Sequence, residues 1–174
     1  MDGNIDIIGP EFYESIIAAV EGGTVYGMLK HPFSDDSYDE ALRCLAGERI
    51  DLGTALRAVS NLKKHGVARN EGLMESNVLL RKHNEPEVIA MGNCWWSKMT
   101  RIAMRDQLTL QCALHETGLK PDLLWNGRST RDFPAVRYRG HNRCWVKDRS
   151  LRGRLRYLRL EIGKLILRLR IWWM

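Results

Sequence analysis

The sequence predicts an α/β protein, on three observations. Short apolar runs rich in β-formers, at Ile5 to Ile8, Thr24 to Leu29 and Glu75 to Leu80, are separated by longer stretches whose apolar residues recur at spacings of three and four. Strands alternating in this way with helices make a sheet covered by helices. At 174 residues, 44% apolar and 28% charged, the chain has enough apolar material for one hydrophobic core, with no internal repeat or low-complexity stretch.

The chain opens on Asp2-Gly3-Asn4-Ile5-Asp6-Ile7-Ile8, a carboxylate-rich turn running into a short alternating strand. Pro10 to Val20 follows as a helix, because Pro suits a first helical turn and Phe12, Ile16, Ile17 and Val20 share a face. Gly22-Gly23 breaks it, and Thr24 to Leu29 is a second strand ending at Lys30-His31-Pro32. After an Asp/Ser loop, helices are expected over Tyr38 to Ala46 and over Leu52 to His65, the second striped by Leu52, Leu56, Val59 and Leu62.

The strand Glu75 to Leu80 centres on the apolar run Val78-Leu79-Leu80 and finishes at Arg81, Lys82 and His83. Asn84 is placed to cap the next helix, with Glu87 completing a capping box and Pro86 in the first turn. Val88, Met91, Trp95, Met99 and Ile102 form the core-facing stripe of that helix. Asp106 is placed to cap a further helix that ends near Gly118. From Pro121 to Trp145, Gly127, Pro134 and Gly140 interrupt any regular pattern among Arg128, Arg131, Arg137, Arg139 and Arg143, which reads as a basic, loop-rich closing segment. A last helix is expected from Asp148 onward, with Leu151, Leu155, Leu158, Ile162, Leu165, Leu169 and Trp172 as an apolar stripe and the arginines largely elsewhere.

Composition narrows the function classes. Cys44, Cys94, Cys112 and Cys144 form no CxxC pair and no zinc spacing, so reduced thiols in a cytoplasmic setting are expected. The N-terminus lacks the pattern of a signal peptide, and no uncharged stretch approaches the roughly 20 residues of a membrane-spanning helix. The net charge of +6 is unevenly placed: residues 147 to 174 carry nine Lys or Arg against Asp148 and Glu161, whereas residues 1 to 146 hold 18 basic and 19 acidic residues. A nucleic-acid-binding domain carries its basic patch on the folded body, so this distribution disfavours that class.

Several residues invite a chemical reading beside a plain one. Asp2, Asn4 and Asp6 supply oxygen ligands suited to a hard divalent cation, or form an acidic turn and nothing more. Asp106 at a helix start is either a cap or a group that takes a proton from a substrate hydroxyl. Helical spacing puts Trp95 in the core and leaves Trp96 as the candidate platform for a sugar ring. His31, His83 and His141 each adjoin a strand or loop end, where a metal or phosphate contact competes with an ordinary surface or core role. The arginines of the closing segment either clamp a diphosphate or are solvated charge.

In their order, Asp2-Gly3-Asn4, the Glu75-to-Leu80 strand, Asp106-Gln107 and a late His in a basic loop resemble the C-terminal part of a GT-A-type glycosyltransferase. More closely, Met1-Asp2-Gly3-Asn4, His31, Leu79-Leu80-Arg81-Lys82-His83-Asn84-Glu85-Pro86, Trp95-Trp96 and Arg105-Asp106-Gln107-Leu108-Thr109 are similar to a glycosyltransferase-like domain family of bacteria and plants, once a domain of unknown function, that includes plant mucilage-related proteins. The resemblance spans roughly residues 1 to 142 and is specific in combination.

It implies a GT-A-like mixed sheet flanked by helices over residues 1–146, the C-terminal portion of such a domain without the nucleotide-binding half, followed by a basic amphipathic helical tail over 147–174. The implied activity is transfer of a sugar from a nucleotide-sugar donor to a glycan or glycolipid acceptor. Asp2, Asn4 and His141 would hold Mn²⁺ or Mg²⁺; Asp106 and Gln107 would be catalytic; His31, Arg81, His83, Trp96, Arg105 and Arg137 would contact substrate. The alternative is a non-catalytic remnant acting as a membrane-surface module, its basic tail drawn to anionic lipids at the inner membrane face.

Overall fold

The computed structural model describes residues 5–139 and 150–173. The elements run β1 (Ile5–Ile7), α1 (Glu11–Glu21), β2 (Tyr26–Lys30), α2 (Ser37–Ala46), α3 (Leu52–Lys64), β3 (Met74–Arg81), α4 (Pro86–Arg101), α5 (Asp106–Thr117), β4 (Asp122–Leu123), a 3-10 turn over Leu124–Gly127, β5 (Val136–Tyr138) and α6 (Leu151–Trp172). This is an α/β fold, with a mixed three-stranded sheet in the order β3-β2-β4 and a separate antiparallel pair, β1 with β5.

β2 is the central strand. It pairs antiparallel with β3, with an irregularity between Gly27 and Leu29, and parallel with β4. Gly27 is required there, because a Cβ would lie 2.6 Å from Leu124 Cδ2. On one face of the sheet Tyr26 and Met28 meet Val88 and Met91 of α4 and Leu110, Ala113 and Leu114 of α5. On the other, Leu29 and Val78 meet Phe12, Trp125, Ile5 and Val136. A third cluster is purely helical: α2, α3 and α6 close around α5 through Ala41, Leu45, Val59, Leu62, Leu108, Cys112, Leu167 and Ile171.

Local chemistry explains most boundaries. Asp36 caps α2 by accepting from Tyr38 N at 2.7 Å and Asp39 N at 3.1 Å. Asp51 caps α3 through Thr54 N at 2.7 Å. Gly118, at φ 71°, ends α5 in the left-handed conformation that a Cβ would resist. Pro86 opens α4 as expected, but the capping residue is Glu85 and no side chain bonds the helix start, so the Asn84–Glu87 capping box does not form. Asp106 is likewise not a cap: Arg105 holds that position and Asp106 is the first helical residue.

The closing segment is more ordered than its composition suggests. Through residue 139 it contains β4, the 3-10 turn and β5. Trp125 anchors it, stacked on Phe133 with ring centroids 4.2 Å apart. α6 packs on α2 and α3 through Leu160, Gly163, Leu167 and Ile171, while the expected stripe from Leu151 to Trp172 faces outward. Cys44, Cys94 and Cys112 are free thiols. No described helix is long and apolar enough to cross a membrane.

Candidate functional site

Three elements terminate at one end of the sheet. β2 runs out at Lys30 and delivers His31; antiparallel β3 begins there, with Glu75 opposite Leu29; and α5 starts there with Asp106. Ser76 Oγ donates to Asp106 Oδ2, so a strand hydroxyl bonds the carboxylate at the start of α5. That carboxylate also sits at the N-terminal end of α5, the positive end of the helix dipole.

His31 is half-buried, and its Nδ1 accepts from Phe33 N at 3.4 Å. Burial pushes its pKa below the ordinary 6.5 and Arg43 adds to this, while the carboxylates of Glu40 and Asp106 oppose it. The imidazole is therefore neutral at pH 7. Arg43 in turn donates to the Phe33 carbonyl at 2.8 Å. Buried Glu40 accepts from Cys44 Sγ at 3.4 Å, and burial together with that carboxylate pushes the Cys44 thiol up to about 11. Cys44 is thus no thiolate nucleophile.

A second carboxylate braces the site. Glu75, 4% exposed, accepts from Thr130 N at 2.6 Å and from Asn77 Nδ2 at 3.1 Å, tying the closing segment to β3. Burial raises its pKa, with the Thr130 hydrogen bonds and Arg131 opposing. Beside it the Arg131 guanidinium lies 4.8 Å from the centroid of the exposed Phe33 ring and 4.4 Å from that of Tyr138. Arg131 thus links Phe33, two residues beyond His31, to Tyr138 of β5.

Two buried atoms of the α5 start, Arg105 Nε and Gln107 Oε1, have no hydrogen-bond partner among the described residues. Each such atom costs about 1–3 kcal/mol unless water or a ligand completes it. Arg105 also lines a cleft of about 340 Å³ with Arg49, Arg57, Arg101 and Asp51. Its arginines suit an anionic group.

Of the residues expected to form the site, the fold gathers His31, Arg105, Asp106 and Gln107. Arg81 ends β3, about 17 Å along the strand from Ser76, and His83 follows two residues later in a turn; both are exposed. Trp96 projects into solvent from α4, 64% exposed, while Trp95 is half-buried with its indole N–H donating to Thr109 Oγ1 at 3.2 Å. Arg137 is exposed on β5 opposite Asp6. Asp2, Asn4 and His141 lie outside the described residues. Among the described residues no group of three His, Cys, Asp or Glu is arranged to hold a metal, and Asp6 is engaged by Arg139 Nε at 2.6 Å.

Sequence reasoning passed over Glu40, Arg43 and Ser76 as site residues, weighed Arg131 only with the other closing-segment arginines, and read Glu75 only as part of a strand. The available signal was the polar lead-in Glu75-Ser76-Asn77 to a buried apolar run, where a carboxylate needs a partner.

No family model, curated protein or solved structure matches the chain.

Proposed function

We propose that this chain is the acceptor-side portion of a glycosyltransferase-like domain, in which Asp106 receives or positions the proton of an acceptor hydroxyl while a sugar leaves a nucleotide-sugar donor. The observation that carries this reading is the bond from Ser76 Oγ to Asp106 Oδ2 at the junction of β2, β3 and α5. A carboxylate that already accepts from one hydroxyl, at a fixed helix start, is oriented to accept from another. The residue pattern Arg-x-His-Asn-x-Pro, Trp-Trp and Arg-Asp-Gln-Leu supports the same family.

The arrangement argues against hydrolysis through a serine nucleophile. In such sites the serine proton passes to a histidine, whereas here Ser76 donates to Asp106. Neutral His31 and the Arg131–Phe33 pair suit a polar, ring-bearing acceptor, and the arginine cleft next to Arg105 suits an anionic group of donor or acceptor. The cation implied by the resemblance, Mn²⁺ or Mg²⁺ on Asp2, Asn4 and His141, would neutralise a leaving diphosphate. The described residues offer no metal set.

The test is calorimetry with oligosaccharide acceptors on the parent and on Asp106→Asn, and transfer assays with nucleotide sugars and Mn²⁺ on the same pair carried in a protein that includes the donor-binding half. Transfer is expected to fall by about 10²–10⁴ in the variant, with acceptor binding little changed. The variant also removes a carboxylate that raises the His31 pKa, so the ring should titrate lower still by NMR. Equal transfer by both proteins, or no binding of any sugar substrate by the parent, would sink the reading.

A further inference from the structure

α6 carries apolar residues on two opposite sides. Leu160, Gly163, Leu167 and Ile171 face α2 and α3. The helix is pinned there by the Arg156–Glu48 ion pair and by Lys63 Nζ, which donates to the Arg170 carbonyl at 3.1 Å. At about 100° per residue, Leu158, Ile162, Leu165 and Leu169 project roughly half a turn away from Leu167. They are exposed by 55%, 50%, 57% and 49%. Leu151 and Leu155 continue this stripe at the start of the helix, and Trp172 and Trp173, 82% and 81% exposed, finish it.

The borders of the stripe are basic. Arg152, Arg159 and Arg170 fall along one edge and Arg154 and Arg168 along the other. Lys164 pairs with Glu161 at 2.5 Å and Arg156 with Glu48, but these five arginines form no ion pair among the described residues. The exposed apolar side chains are therefore not the face that holds α6 in the fold, and the charges beside them are not consumed by it.

We infer that this outward face docks α6 flat onto an anionic lipid surface. A helix with so many charged residues does not cross a bilayer. An apolar stripe bordered by arginines is instead the chemistry of a helix lying in the plane of the interface. There the leucines enter the acyl boundary, the arginine heads reach lipid phosphates, and the terminal tryptophans sit at headgroup depth. Charge selects this occupant over a second copy of the chain, since two such faces brought together would oppose basic borders to basic borders.

The test is flotation of the full chain with vesicles of phosphatidylcholine alone and of phosphatidylcholine with about a third phosphatidylserine. The parent is expected to float with the anionic vesicles only, and to lose partitioning by about tenfold or more in high salt. Leu158→Gln with Leu165→Gln should weaken partitioning at least about tenfold. Arg152→Gln, Arg159→Gln and Arg170→Gln together should abolish the preference for anionic vesicles. All five positions are exposed, so circular dichroism and thermal melting of both variants should match the parent. Equal flotation of parent and variants would overturn the inference. So would equal recovery on neutral and anionic vesicles, or a parent that ignores vesicles and forms a dimer that the double leucine variant dissociates.

Discussion

Glu75 offers the sharpest test of how the candidate site is held. Its carboxylate takes the Thr130 N–H at 2.6 Å and the Asn77 amide at 3.1 Å, inside a region where Thr130 is 1% exposed. Glu75→Ala removes the acceptor of the buried Thr130 N–H. A stranded buried donor costs about 1–3 kcal/mol and a hydrogen bond to a charged group contributes about 1.5–3 kcal/mol; these overlap, so a loss of about 3 kcal/mol is expected. Glu75→Gln keeps an acceptor oxygen for Thr130 while removing the buried charge, and should fall within about 1 kcal/mol of the parent at pH 7.

The pH dependence separates the two effects. The folded pKa of Glu75 is raised above its ordinary 4.5, so the native state holds this proton more tightly than the unfolded state does. Its contribution to stability is therefore greatest at low pH, and is lost as pH climbs from the ordinary value through the folded one. Urea unfolding followed by circular dichroism, on parent and Gln variant between about pH 4 and 7, should show the stability difference shifting toward the variant as pH rises. A Glu75→Ala loss below about 0.5 kcal/mol, or a Gln variant as unstable as the Ala variant, would refute the brace.

Two further outcomes concern the helical layer. Asp36, buried, caps α2 and pairs with Arg69; burial alone would raise its pKa, but Arg69 and the backbone N–H groups of Asp39, Asn70 and Tyr38 outweigh that and lower it. Asp36→Ala should cost about 2–4 kcal/mol in urea unfolding, and the parent's share of that stability should disappear as pH falls from about 4 through the lowered folded value. Gly163→Ala places a Cβ 3.8 Å from Leu52 Cδ2, ordinary contact distance, and removes a helix-interior glycine. It should raise stability by about 0.5–1 kcal/mol, read as a higher Tm; a fall would mean that α6 meets α3 more closely than described.

The legible parts of the fold were those that carry their own local signal. The strand expected over Glu75 to Leu80 lies within β3, and the helix expected to end near Gly118 does so because glycine meets the left-handed requirement there. The placement of His31 after β2 was equally local. β4 and β5, of two and three residues, are too short to show any periodicity, and they become strands only by pairing with β2 and β1.

Side-chain partnerships across sequence distance were out of reach. Asp106 reads as a cap by position, yet its partner is Ser76, 30 residues earlier and brought near only when β3 and α5 meet. Arg81 and His83 were expected in the site because they follow a strand end and belong to the residue pattern that carries the resemblance; the length of β3 separates that end from Asp106. In α6 the seven-residue apolar stripe was real, but hydrophobicity does not say which side meets the body. A glycine at position 163 lets the narrower Leu160, Leu167 and Ile171 side approach α2 and α3.

α5 is buried on every side from Leu108 to Leu114, with α2, α3, α4 and β3 packed against it. Amide hydrogens along that span should exchange with solvent only when the whole protein unfolds, as the slowest set in the molecule. The helix that begins at Asp106 is thus, among the described residues, the part least free to breathe. A carboxylate mounted on its first turn, bonded by Ser76, is held through the local openings that loops undergo.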